Sequence, residues 1–232
     1  MMILAVTGLE RERRILTGSA AGQGIEVIVG GGDAARLERE VDRAAGHASG
    51  IISIGIAGAL APQLKPGAWV VADAVRGVDL AMPTDQAWRE RLLARLPGAM
   101  QGLVLGGEAI VAIAAEKADL HRTTGAIAVD METHVAARVA ARYRLPLAVA
   151  RVISDAADRT LPPAARVGMR PDGGIDLPAV LRSLLADPLQ LPALIRTGLE
   201  AERGFRALLR GHRRLGSHLG GPDLGELPVD VV

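Results

Sequence analysis

From almost its first residue, this chain alternates short, fully apolar runs with charged amphipathic stretches, and that alternation limits the folds open to it. Met2–Thr7 is apolar, Glu10–Leu16 is charged and helix-like, Ile25–Val29 is apolar again, and Ala34 to about Gly46 has helical spacing. Further apolar runs lie at Ile51–Ile56, Trp69–Val75, Gly102–Val111, Ala126–Val129 and Leu147–Ile153, with a helix expected from about Glu132 to Arg144. Strands apolar on both faces need cover on both faces, which helices between them supply. The expected fold is therefore α/β, a three-layer α/β/α sandwich around a mixed central sheet. From Ser154 to Asp176 the periodicity stops, broken by Pro162, Pro163, Pro171 and Gly173-Gly174, as in a functional loop or lid. Leu177–Ala186 and Leu191–Arg214 read as helices. Residues 1–215 form one expected domain, and 216–232 a loosely docked extension.

Composition narrows the function classes. The chain has no cysteine, so disulfides, thiolate zinc sites and cysteine nucleophiles drop out. Its net charge of +1 gives no reason to expect nucleic acid as a partner. Lys65 and Lys117 are the only lysines, arginine supplying the rest of the positive charge. Trp69, Trp88, Tyr143 and Phe205 are the only aromatic residues, so a flat ligand is expected to lie mainly between aliphatic side chains and backbone. His47, His121, His212 and His218 have no metal-ligand spacing, and neither a metal nor a cofactor is expected. The stretch Ala44–Leu64 carries no charge but reads as a buried strand entering a turn, not a membrane span. The amino end lacks a basic lead and a cleavage site, and the expectation is a soluble cytoplasmic protein.

The chemistry-bearing residues cluster where apolar runs end, the place where open α/β sheets put ligands. Thr7-Gly8-Leu9-Glu10-Arg11-Glu12-Arg13-Arg14 follows the first run. Val129-Asp130-Met131-Glu132 joins a strand to a helix, and Arg151-Val152-Ile153-Ser154-Asp155-Ala156-Ala157-Asp158 ends the last strong run. Glycine turns accompany them at Gly30-Gly31-Gly32 and Gly55-Ile56-Ala57-Gly58. Taken singly, each has an ordinary structural reading: a tight turn, a solvated first helical turn, or a carboxylate at a helix start.

Together and in this order, the motifs resemble the purine nucleoside phosphorylases and methylthioadenosine/adenosylhomocysteine nucleosidases. V-D-M-E at 129–132, R-x-I-S-D-x-A-D at 151–158, the turn from Gly55 to Leu60 with Val70-Val71-Ala72-Asp73 after it, and Gly8-Leu9-Glu10-x-Glu12 carry the likeness across roughly residues 3–160. Val129–Arg138, Val167–Gly173 and Ala207–Gly211 are similar to the hopanoid-associated phosphorylases within that family. That subgroup implies release of adenine from adenosylhopane, a lipid with a nucleoside head.

The resemblance implies roles that the chemistry requires. Breaking the bond between C1′ and N9 leaves a cationic sugar and an anionic base, so an acid near N7 is needed, and Asp155 matches it with Ser154 orienting it. Glu132 matches the carboxylate that holds the ribose hydroxyls, with Met131 beneath the sugar. Glu12 matches the water-activating carboxylate of the nucleosidases. Ile56, Ala57, Gly58, Ile110 and Val111 are expected around the substrate. The nucleophile stays open between water and a phosphate co-substrate, with phosphorolysis preferred; Arg11, Gly30, Gly32 and Gly55 are the candidate phosphate contacts. His134 reads as a surface or interface residue, and Asp130 and Asp158 as supporting ones. The loop after Asp158 lacks the aromatic that covers the 5′ substituent in nucleosidases, which suits a bulkier apolar group. A homodimer or larger homo-oligomer is expected by resemblance. The basic helix end, Arg203 to Arg214 with Phe205, Leu208, Leu209 and Leu215, reads either as a solvated face or as a peripheral contact with the inner membrane surface. The rival readings are a hydrolytic nucleosidase for a small nucleoside and a non-catalytic nucleoside- or lipid-binding protein.

Overall fold

The computed structural model describes residues 2–18, 24–77, 81–167, 170, 172–174 and 176–221. The elements run in the order β1 (Met2–Thr7), α1 (Glu10–Thr17), β2 (Ile25–Val29), α2 (Ala34–Ala45), β3 (Ala48–Ala59) and β4 (Trp69–Arg76). Next come β5 (Ala81–Pro83), α3 (Gln86–Arg95), β6 (Met100–Gly106), α4 (Ala114–Thr124), β7 (Ala128–Asp130), α5 (Thr133–Tyr143) and β8 (Leu147–Asp155). The chain ends in α6 (Pro163–Arg166), α7 (Leu177–Ala186), a 3₁₀ turn (Pro188–Gln190) and α8 (Leu191–Leu215). The motif at 167–173 lies partly, and the tail from 222 wholly, outside the described residues.

The mixed sheet and its flanking helices are the expected ones. Strands run in the order β2-β1-β3-β7-β6-β4-β5, and β8 pairs with both β3 and β4. That double pairing closes a circuit, β3-β8-β4-β6-β7 and back to β3, with parallel and antiparallel neighbours mixed. One layer holds α2 and α5, whose Leu37, Val41, Val135 and Val139 pack on the sheet. The other holds α1, α3 and α8 through Leu16, Trp88, Leu92, Leu208 and Leu215.

Two helices were not visible in the apolar pattern. α3 is started by Asp85, whose side chain accepts from Trp88 N at 2.7 Å, and it buries Trp88 and Leu92. α4 ends at Gly125, where φ is +73°, and its one buried side chain is a lysine, so no apolar stripe announces it. The apolar run expected to reach Val111 ends instead at Gly106. Residues 216–221 are better docked than expected: Leu219 is buried, and its carbonyl accepts from Trp88 Nε1 at 3.0 Å. Among the described residues no helix is long and apolar enough to cross a membrane.

Candidate active site

The ends of β1, β3, β7 and β8 converge on one cavity of about 390 Å³, walled on the far side by α6, α7 and α8. Glu12 reaches it from the first turn of α1 and is 1% exposed. Its Oε2 accepts from Gly8 N and Leu9 N, each at 2.8 Å, and Oε1 accepts from Ile56 N at 2.6 Å. A glycine is required at 55 because a Cβ there would stand 2.5 Å from Glu12 Oε1. Burial raises the Glu12 pKa, against the pull of Arg151 and of those three N–H donors.

Arg151, fully buried on β8, is the cation at this end. Its Nε lies 2.7 Å from Asp130 Oδ2, and Nη2 donates to Ser53 Oγ at 2.5 Å and Thr133 Oγ1 at 3.0 Å. Asp130 also caps α5, its Oδ1 accepting from Glu132 N at 3.0 Å and Thr133 N at 2.8 Å. Glu132 is less well served: Arg151 Nη2 stands 3.7 Å from its Oε2, beyond hydrogen-bond distance. Burial pushes the Glu132 pKa up to about 8, with the charges of Asp130 and Glu12 acting in the same direction and Arg151 opposing. Gly8 and Gly30 make room for it, since a Cβ at either would come within 2.8 Å of the Glu132 side chain.

At the other end, Ser154 Oγ lies 2.8 Å from Asp155 Oδ1 and 3.1 Å from Ala57 O. The second oxygen of Asp155 is ion-paired with Lys117 of α4, a fully buried lysine that also donates to Ala156 O at 3.2 Å and Arg159 O at 3.1 Å. Lys117 played no part in the sequence reading. Its one visible mark was being one of two lysines in a chain that otherwise uses arginine. A lysine tolerates such burial only with its charge paired and its donors satisfied, as here.

Glu12, Ile56, Ala57, Gly58, Ile110, Val111, Met131, Glu132, Ser154 and Asp155 all line this cavity. Arg11, Gly30, Gly32 and Gly55, the candidate phosphate contacts, are not among the residues that line it. Arg11 points away to Glu202 at 2.6 Å and stacks 4.0 Å above the Phe205 ring. Gly30 N is bonded to Thr7 O at 2.7 Å and Gly31 N to Gly8 O at 2.9 Å, so these two N–H groups of the turn are already taken. Gly55 sits against the Glu12 carboxylate instead.

Three further expectations are corrected. His134 is buried rather than on the surface, packed where a Cβ at Gly106 would come 2.5 Å from its own Cβ, and burial lowers its pKa. Phe205, read as part of an exposed helix face, lines the cavity, so one aromatic ring does flank the ligand space. Leu208 and Leu215 of the same helix are core residues rather than part of an exposed face. Leu161, Ala164, Ala165, Val180 and Leu194 complete an apolar annex to the cavity that no motif had announced. Among the described residues no group of three or more acidic or histidine side chains is placed to hold a metal.

Comparison with solved structures matches the fold over nearly the whole chain. The 5′-methylthioadenosine/S-adenosylhomocysteine nucleosidase of Neisseria meningitidis superposes with a TM-score of 0.66 at 15% identity, covering 94% of this chain and 97% of that one. The corresponding Streptococcus pneumoniae nucleosidase gives 0.64 at 17% identity, covering 92% and 99%. Futalosine hydrolase of Helicobacter pylori gives 0.59 at 18%, covering 91% and 97%. At these identities the likeness is one of fold. A family model described as the phosphorylase superfamily matches residues 5–186, most of the chain, and the protein belongs to that superfamily.

Proposed function

We propose that this chain is an enzyme that breaks the N-glycosidic bond of a 5′-modified adenosine and releases adenine, with water as the nucleophile. The observation that carries the reading is the placing of Glu12, Glu132 and Asp155 on the wall of one cavity. Asp155, ion-paired with Lys117 in the free protein, takes up a proton from solvent and passes it to N7 as the C1′–N9 electrons pass to the base. The Lys117 ammonium then lies against the carboxylate left behind. Glu132 accepts the ribose hydroxyls and faces the sugar as it becomes cationic. Water attacks C1′ from the other side and loses its proton to Glu12, giving a free 1-hydroxyl. Glu12 then returns its proton to solvent, while Asp155 is again the carboxylate paired with Lys117.

Water is favoured over phosphate because the backbone N–H groups of Gly8, Leu9 and Ile56 are all directed at the Glu12 carboxylate. A phosphate beside it would meet a buried carboxylate whose nearby cation, Arg151, is already engaged by Asp130 at 2.7 Å. Phosphorolysis remains the second reading, on the strength of the 129–138 motif and its likeness to the hopanoid-associated phosphorylases. In either case the annex of Leu161, Ala164, Val180 and Leu194 suits a large apolar 5′ group, and adenosylhopane is the proposed substrate. Retention of an acid at 155 argues against a purely binding role, since binding alone does not need a proton donor. The test is adenine release from adenosylhopane and from methylthioadenosine, each with and without phosphate. Phosphate-independent release from the lipid nucleoside is expected. A requirement for phosphate, with a ribosyl 1-phosphate product, would replace water by phosphate; release from methylthioadenosine alone would refute the apolar 5′ group.

A further inference from the structure

The helices that wall the cavity have an outer surface of an unusual kind. α7 has no buried residue, although apolar side chains make up most of it, and the 3₁₀ turn and first half of α8 continue the pattern. Leu177, Leu181, Leu185, Leu189, Ile195 and Leu199 are between 55% and 89% exposed. The two most exposed, Leu185 at 84% and Leu189 at 89%, stand at the corner between α7 and the 3₁₀ turn. Val180 and Leu194 of the same helices line the cavity, so a single layer of helix separates the ligand space from this outer face. Solvent-facing apolar clusters of this size mark an interaction surface.

From this we infer that the outer face of α7, the 3₁₀ turn and the first half of α8 docks on an anionic lipid surface. Charge selects the occupant. Arg182 and Arg196 are exposed among the leucines, and Asp187 is the one acid between residues 177 and 199. Asp187 is moreover occupied in capping the 3₁₀ turn, its side chain accepting from Leu189 N at 3.1 Å. Leucines to enter the acyl boundary, with arginines beside them at headgroup level, make the pattern of an interfacial helix. A second copy of the chain fits less well. A twofold contact sets a patch against itself, here cation-rich face to cation-rich face, around two leucines that project from a corner. Docking this way would turn the apolar annex towards the bilayer, so that a lipid-borne 5′ group could enter without crossing water. That last consequence rests on the proposed function; the docking does not.

The test uses the full chain and vesicles that contain no nucleoside, so its result is independent of the enzyme's substrate. The protein is expected to sediment with vesicles of phosphatidylcholine and phosphatidylglycerol, and less with phosphatidylcholine alone. Leu185→Glu/Leu189→Glu, which alters neither cavity nor core, is expected to weaken binding at least about tenfold with an unchanged melting temperature. Arg182→Glu/Arg196→Glu should remove the preference for the anionic lipid. Failure of the wild type to sediment with anionic vesicles overturns the inference, as does undiminished binding by the leucine variant. Self-association that the leucine variant abolishes, without vesicle binding, would assign the face to a second copy instead.

Discussion

The two ends of the cavity solve the same problem, a carboxylate removed from water, in opposite ways. At the Asp155 end one ammonium faces one carboxylate, and the lysine's other donors go to the carbonyls of Ala156 and Arg159. At the Arg151 end a single guanidinium is shared: it is tight on Asp130 at 2.7 Å, loose on Glu132 at 3.7 Å, and acts on Glu12 through its charge. Matched charges hold the Asp155 carboxylate in place. Unmatched ones leave an excess of negative charge, and burial with the charges of Asp130 and Glu12 raises the Glu132 pKa to about 8. The contrast teaches that a proton inventory at such a site follows the ratio of buried cations to buried acids, not the number of acids.

The comparison can be broken first at Asp155. Asp155→Asn is expected to lower kcat for adenine release by about 10²- to 10⁴-fold with little change in KM, the usual contribution of a general acid. An unaltered rate in steady-state kinetics would remove Asp155 from the mechanism. Lys117→Met should leave the Asp155 carboxylate buried without its partner, costing about 3–5 kcal/mol of stability in denaturant unfolding. Adding Asp155→Asn to Lys117→Met should restore part of that loss, because no charge is then stranded. If the double variant is as unstable as the sum of the two single ones, the pair is not coupled.

A pH titration sharpens the other end. Glu132 holds its proton more tightly in the folded chain than the ordinary value of 4.5, up to about 8. Its contribution to stability is therefore fully present below pH 4.5 and is lost as pH rises through about 8. The melting temperature should decline across that window, and Glu132→Gln should flatten the decline. An equally steep fall in the variant would place the titrating group elsewhere. The smallest effect is expected at Arg11, whose ion pair with Glu202 is half open to solvent. Arg11→Ala should barely move the melting temperature, and any difference should vanish in high salt. A large loss of phosphate-dependent activity in that variant would instead bring Arg11 back as a phosphate contact.

Much of the fold was legible because strands and amphipathic helices announce themselves locally. Met2–Thr7 and Ile25–Val29 fall where the apolar runs put them, and α5 and α8 differ from their expected bounds by a residue or so. α3 and α4 escaped because the buried Trp88 and Leu92 of α3 stand among Arg89, Glu90, Arg91 and Arg95, and the one buried side chain of α4 is a lysine. At the cavity, the candidate acids were legible as motif residues at strand ends. Lys117 was not, because it meets Asp155 across 38 positions and belongs to no local pattern. The surroundings of the glycine turns were hidden for a related reason: along the chain Gly55 and Gly30 have no acid beside them, but in space the carboxylates of Glu12 and Glu132 press against them.

By itself, then, the order of residues determined the layer architecture, the strand-end positions of Glu12, Glu132 and Asp155, and the amphipathic character of the last helices. Those are properties of neighbours along the chain, set by a period of two or of about 3.6 residues. Tertiary structure alone decided which cation serves which acid, and that Arg11 turns outward. It also decided which apolar faces are covered. In α8 the leucines at 208 and 215 press against the sheet while Ile195 and Leu199 stay open to solvent, although all belong to one continuous helix. The physical reason is that burial and charge pairing depend on what lies opposite in space, and the sheet ends before α8 does.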